Sequence, residues 1–164
     1  MILYTIGHST TAIGDFISAL RAHDIGVLVD VRSRPRSRWP QFNQQPLARS
    51  VEDAGIRYVH MGDRLGGMPR DPDAASRWRA GRLDPRIIDH LRSTEAWREG
   101  LRDLTELVRQ PPAVCIMCSE RDPAACHRCA VALDVADLLP GLDIVHVSTS
   151  NAPIAEPSVQ QTLF

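Results

Sequence analysis

Lysine is absent from the chain. All 19 basic residues are arginine, 20 acidic residues balance them, and the formal net charge is −1. Near-neutrality excludes a protein coated in basic surface, so any contact with a polyanion has to be local. The uniform use of arginine is first a matter of composition and carries no functional weight by itself. Also missing is any apolar run near the roughly 18 residues of a membrane-spanning helix. The first residues enter a strand pattern rather than a leader pattern, and a cytoplasmic location is expected. Cysteine is scarce and clustered: all four residues, Cys115, Cys118, Cys126 and Cys129, fall in one short stretch. That excludes the spread-out pattern of a secreted disulfide framework and leaves metal binding, catalysis or core packing. No internal repeat is visible.

What is present is an ordinary globular composition, 43% hydrophobic and 24% charged over 164 residues, enough for one domain with a real core. Residues 1–147 are read as a single α/β domain and 148–164, rich in Ser, Pro, Asn and Gln, as a flexible tail. Ile2 to Ile6 reads as a first strand ended by Gly7-His8-Ser9. Thr10 or Thr11 is a candidate cap for a helix whose Ile13, Phe16, Ile17 and Leu20 share one face. Val27 to Val31 is a second, β-branched strand. Pro46 fits the first helical position of a helix carrying Leu47 and Val51, and Gly55 fits its stop. Ile56 to Met61 is a third strand. The segment from Gly62 to Asp84, with its Gly66-Gly67 pair, is long for a connection and is expected to be a functional flap. Two helices follow, the second capped by Thr94 with Trp97, Leu101, Leu104 and Val108 on one face. Ala113 to Met117 is a short buried strand ending at Cys118, a helix starts near Cys126, and Ile144 to Val147 is a fifth strand.

This alternation predicts a three-layer α/β sandwich around a mostly parallel five-stranded sheet, with expected order 3-2-1-4-5. The switch point would then bring the Gly7-His8-Ser9 loop opposite the Cys118 loop with Arg32 alongside, at the edge where open α/β sheets bind ligands.

Five segments, TIGHS (Thr5 to Ser9), DVRSRPRS (Asp30 to Ser37), GIRY (Gly55 to Tyr58), LGG (Leu65 to Gly67) and MCSERDPAACHR (Met117 to Arg128), run in order over about the first 130 residues. Together they resemble the bacterial and archaeal family catalogued as domain of unknown function family 488. The resemblance implies an α/β fold and no established activity. The family's Cys-x-Glu and Cys-His-Arg elements fall on Cys118, Glu120, Cys126, His127 and Arg128, and its pattern leaves out Cys115 and Cys129.

The chemistry converges on the loop after the fourth strand. A thiol at a strand end beside a helix N-terminus is a candidate thiolate nucleophile, so Cys118 is read as catalytic, with Glu120 as acid–base partner and His8 or His127 assisting. Arg32 and Arg128, with Arg34, Ser9, Ser37 and Cys126, are read as substrate or phosphate ligands. Arg32, Arg34, Arg36 and Arg38 alternate along one loop before Trp39 and Phe42, a pattern suited to phosphates and stacked bases. Cys118, Cys126, His127 and Cys129 also offer Cys₃His, but the spacing is not that of a standard zinc knuckle. Neighbours on a helix point about 100° apart, so Cys126 and His127 are not expected to share an ion. No cofactor is therefore expected, and zinc on the cysteine cluster is the minor alternative. His127 is expected to pair with Glu120 or a ligand phosphate, and Asp30 to serve structure by accepting hydrogen bonds from loop amides or Arg32.

The last residues, Gln160-Gln161-Thr162-Leu163-Phe164, are similar to the bacterial sliding-clamp-binding pentapeptide. Gln160, Leu163 and Phe164 would make that contact, with Gln161 standing where the motif has Leu. Together these features point to a protein acting on nucleotide or nucleic-acid phosphates in DNA maintenance. One alternative is a non-catalytic nucleic-acid-binding module with inert or metal-bound thiols. Another is rhodanese-like sulfur transfer, suggested by Asp30-Val31-Arg32 and a strand-ending cysteine. Against it, no glycine follows Cys118 and Glu120 lies close by.

Overall fold

A computed structural model describes residues 1–73 and 84–149. Five parallel strands form one sheet: β1 (Ile2–Gly7), β2 (Ile25–Asp30), β3 (Arg57–His60), β4 (Ala113–Cys118) and β5 (Asp143–Val147). Helices α1 (Ile13–Ala22), α2 (Gln44–Asp53), α3 (Gly62–Leu65), α4 (Pro85–Arg92), α5 (Glu95–Val108) and α6 (His127–Leu138) accompany it. The α/β class is as expected; the strand order is not. The sheet runs β3-β2-β4-β1-β5, so β4 lies between β2 and β1 rather than outside β1. The reason lies in burial. The AVCIMC run of β4 is apolar on both faces, with Cys115, Ile116 and Met117 fully buried, and a strand with no polar face belongs at the centre of a parallel sheet. The α1 connection steps over that slot, and β4 fills it.

Alternation along β4 divides the core in two. Val114, Ile116 and Cys118 face one layer with Val27, Val29, Val31, Trp97, Leu104 and Val131. Cys115 and Met117 face the other with Phe16, Leu20, Phe42, Leu47 and Val51. At roughly 1.5–3 kcal/mol for each fully buried large apolar side chain, both layers contribute substantially to stability.

Local signals in the sequence largely set the helices. Thr94 caps α5 by accepting from the Trp97 amide at 3.2 Å. In α1, Phe16 and Leu20 are fully buried, but neither threonine caps it. Ala12 is the N-cap, with extended backbone and no side-chain bond, while the Thr11 hydroxyl bonds that of Thr149 at 2.7 Å. Pro46 is the third residue of α2 rather than the first, still within the opening turn, where a missing N–H costs no helical bond. The expected flap between 62 and 84 opens with the short helix α3; its stretch 74–83 lies outside the described residues, as does the clamp-like tail with Gln160, Leu163 and Phe164. No helix among the described residues is long and apolar enough to cross a membrane.

Candidate functional site

The carboxyl edges of β1, β2 and β4 end side by side, because Gly7 pairs with Cys118 and Asp30 with Met117. The β1 loop is laced to the β4 loop by the His8 amide on the Cys118 carbonyl at 3.0 Å and the Ser9 amide on the Ser119 carbonyl at 2.9 Å. Ser9 adopts φ 45°, an uncommon left-handed conformation for a residue with a side chain. A Cβ at Gly7 would fall 1.8 Å from the Glu120 carbonyl oxygen, so this close crossing of two loops requires glycine.

Two groups of polar side chains occupy this edge, one on each face of the sheet. On the α1/α2 face, Asp30 is fully buried and takes both prongs of Arg32, at 2.9 and 2.6 Å. It also accepts from the Tyr58 hydroxyl at 2.7 Å. The remaining arm of Arg32 donates to the Phe42 carbonyl at 2.9 Å. His8 stacks on the Phe42 ring, 4.4 Å between centroids, and its Nδ1 lies 2.9 Å from the Ser9 carbonyl. A carbonyl only accepts, so Nδ1 carries the proton there. Burial, together with the Arg32 charge, pushes the His8 pKa down to about 4. The imidazole is therefore neutral at physiological pH. Arg32, expected to reach a phosphate, is turned inward and spent on the root of its own loop.

On the α5/α6 face sit the two thiols and the second imidazole. Cys126 is the N-cap of α6, with extended backbone (φ −131°, ψ 138°), and His127 is the first helical residue. The expected 100° divergence therefore does not apply, because only one of the pair is helical. Instead His127 Nδ1 lies 3.7 Å from the Cys118 sulfur and 4.0 Å from the Cys126 sulfur. All three donor atoms lie within 4.8 Å of one another. Glu120 is not the partner of His127. The other ring nitrogen, Nε2, meets the Val31 carbonyl at 2.9 Å. Nε2 must carry the N–H of that bond, and the ring therefore turns its Nδ1 toward the two thiols.

The thiols are buried and share one proton network. The Cys126 thiol is pushed down chiefly by the hydrogen bond it receives from Cys118, with burial opposing and His127 and Arg128 helping. Cys118 is pushed up, first by that same sharing and then by burial. The thiol that ionises first is Cys126, at the positive end of α6, whereas the sequence pattern favoured Cys118. Arg128 is buried at 1% exposure and donates to the Glu120 and Arg121 carbonyls at 2.5 and 2.8 Å, clasping the loop from below. Its Nε has no hydrogen-bond partner among the described residues. No ion pair joins it to a carboxylate among the described residues, and its charge acts on both Cys118 and Cys126. The Glu120 carboxylate is half-buried.

The Gly66-Gly67 segment packs against this group. A Cβ at Gly67 would lie 2.6 Å from His127 Cγ and Nδ1, and the neighbouring Met68 amide is held by Ser33 Oγ at 2.9 Å. Outside lies the arginine loop. It is pinned by the Gln44 amide on the Pro35 carbonyl and the Ser37 amide on Asn43 Oδ1, both 2.9 Å. Ser37 therefore shapes the loop, its hydroxyl accepting from the Trp39 amide. Arg34, Arg36, Arg38 and Trp39 are exposed, and among the described residues the three guanidiniums have no ion pair. A hollow lined by Gly26, Arg57, Glu106 and Pro112 lies at the opposite edge of the sheet, away from this chemistry.

A family model covers most of the chain. Residues 12–133 match the model of the domain of unknown function DUF488. The chain belongs to that family. The match takes in the arginine loop and the β4 loop, from Arg32 through Arg128, leaves His8 and Ser9 outside, and ends inside α6. No curated protein and no solved structure matches the chain.

What the sequence missed here is mostly backbone. The Val31 carbonyl has no signal of its own in a sequence. Gly67 did carry one: a Gly-Gly pair in a flap implies close backbone approach, although not to which residue.

Proposed function

We propose that this DUF488 protein acts on phosphate-bearing nucleotide or nucleic-acid ligands, gripped by the arginine loop and presented to the Cys118–Cys126–His127 group. One observation carries the reading: the His127–Val31 hydrogen bond joins the reactive group to the residue from which the arginine loop departs. Arg34, Arg36 and Arg38, without an ion pair among the described residues, supply charge for phosphates, and Trp39 a face for a base. The overall charge of −1 confines that attraction to this loop. Glu120 is the acid–base candidate in the loop after Cys118, and Ser9 offers a hydroxyl in the β1 loop. The clamp-like tail at Gln160, Leu163 and Phe164 fits a place in DNA maintenance. Its partner would be the sliding clamp, tested by binding of the tail peptide and its loss on Leu163→Ala with Phe164→Ala.

The direct test is anisotropy of a labelled single-stranded oligonucleotide with wild type and Trp39→Ala. Loss of one stacked base costs about 1–3 kcal/mol, or roughly 5–150-fold in Kd. No binding by wild type at low salt would refute the nucleic-acid reading. Equal binding by the variant would remove Trp39 from it.

A further inference from the structure

We infer that Cys118, Cys126 and His127 hold a thiophilic divalent metal ion of the zinc class, with a fourth coordination position open to water or an anionic oxygen. The inference deepens the functional reading and rests on it only for the identity of that fourth ligand. The geometry is nearly that of a bound ion already. Zinc–sulfur and zinc–nitrogen bonds of about 2.3 and 2.0–2.1 Å at tetrahedral angles set sulfur and nitrogen roughly 3.5 Å apart. The sulfurs stand 3.7 and 4.0 Å from Nδ1, so a few tenths of an ångström of closure completes the set.

The donor types agree. Two thiolates and an imidazole select zinc-like ions over magnesium or calcium, which take oxygen. The bond from Nε2 to the Val31 carbonyl is the outer support that metal-bound histidines use to fix their tautomer and aim. Local structure explains why residues adjacent in sequence can share an ion: Cys126 is extended and His127 helical. Binding forms two metal–sulfur bonds and one metal–nitrogen bond, releases the remaining thiol protons to solvent, and transfers no electron.

The fourth position follows from counting donors and charges. Cys115 lies in the opposite core layer, and Cys129 is not among the converging donors of the described residues. The segment 74–83 contains no Cys, His, Asp or Glu. Three protein ligands with one open position is the arrangement of a reactive rather than a purely structural zinc site. Two thiolates neutralise a divalent ion, and the buried Arg128 charge, which acts on both Cys118 and Cys126, favours an anion beside them. An anionic oxygen, such as hydroxide or a phosphate oxygen, suits that position.

The test uses the full chain, reduced, stripped with a chelator and titrated with cobalt and then zinc. One cobalt per chain is expected, with the visible bands of tetrahedral cobalt and thiolate-to-cobalt charge transfer, all displaced by zinc. Loss of an outer hydrogen-bond partner alone costs roughly 10–100-fold in metal affinity, so Cys118→Ser and Cys126→Ser should each cost at least about 100-fold. Cys129→Ser should not. If a ligand variant does not fold, wild type still decides the matter: zinc should protect Cys118 and Cys126, but not Cys129, from alkylation mapped by mass spectrometry. Absence of the cobalt bands in folded, reduced wild type, or protection that misses Cys118 and Cys126, would overturn the inference. Oligonucleotide binding measured on the same preparation separates the two claims, since metal without oligonucleotide removes the phosphate reading and the converse removes the metal.

Discussion

The Nε2–H of His127 donates to the Val31 carbonyl across 2.9 Å, joining the first residue of α6 to the chain just beyond β2. That bond fixes which face of the imidazole meets the thiols. It also sets the distance between the thiols and the arginine loop, because Arg32 and Asp30 lock the same strand end from the other side of the sheet.

The arginine loop should govern salt dependence. Each phosphate contact on a single strand adds about 0.7 to the slope of log K against log salt. Replacing Arg34, Arg36 and Arg38 together by Ala should therefore lower that slope by about 2, measured as oligonucleotide affinity across a salt series. The same slope in the variant would place binding elsewhere.

Gly67→Ala should disturb the thiol–imidazole group with little effect on the rest of the fold. The added methyl would meet the His127 ring at 2.6 Å, which rotates the ring or lifts the flap. Cobalt affinity should fall by roughly 10–100-fold, as for loss of an orienting partner. Near-wild-type circular dichroism with a weakened cobalt spectrum is the expected pair of results.

His8 should make stability depend on pH. It faces Arg32 and Asp30, with Tyr58 beyond, and its folded pKa is lowered to about 4 from 6.5. The fold thus prefers the neutral ring. Its contribution costs nothing above pH 6.5 and becomes unfavourable as pH falls from 6.5 toward 4, reaching about 3 kcal/mol below that. In His8→Phe, which keeps a ring against Phe42, urea midpoints should fall less steeply than wild type over that window.

Asp134 ties three helices of the α5/α6 layer. It accepts from the indole of buried Trp97 at 2.9 Å and from Arg92 at 2.5 and 3.0 Å. Asp134→Ala leaves the indole N–H without a partner in the core and should cost about 2 kcal/mol. Arg92 is partly exposed, so its share is screened by solvent. Denaturant unfolding followed by Trp97 fluorescence measures the loss.

Much of this fold was legible because it is local. The i, i+3, i+4 spacing from Ile13 to Leu20 describes α1, and the Thr94 hydroxyl before Trp97 describes the start of α5. The exchange of β4 and β1 was not legible, since strand order depends on long-range packing of a run that is apolar on both faces. The site was legible as a neighbourhood: Cys118, Cys126, His127 and Arg128 stand within one loop and one helical turn. Its internal geometry was not. Helical spacing separates Cys126 from His127, and only the extended backbone at the N-cap brings them together. Asp30 was legible as an acceptor for Arg32 or loop amides, as found, but the Tyr58 hydroxyl and Phe42 carbonyl that complete the inward turn of Arg32 come from separate segments and were not.

The measurement closest to the central claim is a heteronuclear NMR titration of the isotope-labelled full chain with a single-stranded oligonucleotide. Arginine loop and thiol–imidazole group acting as one site predicts that the His127 ring and the amides of Ser33, Arg34, Arg36 and Gly67 shift together, on one binding curve. Shifts confined to the arginine loop, with His127 and Gly67 unmoved, would contradict the account and leave a surface that binds without using the thiols.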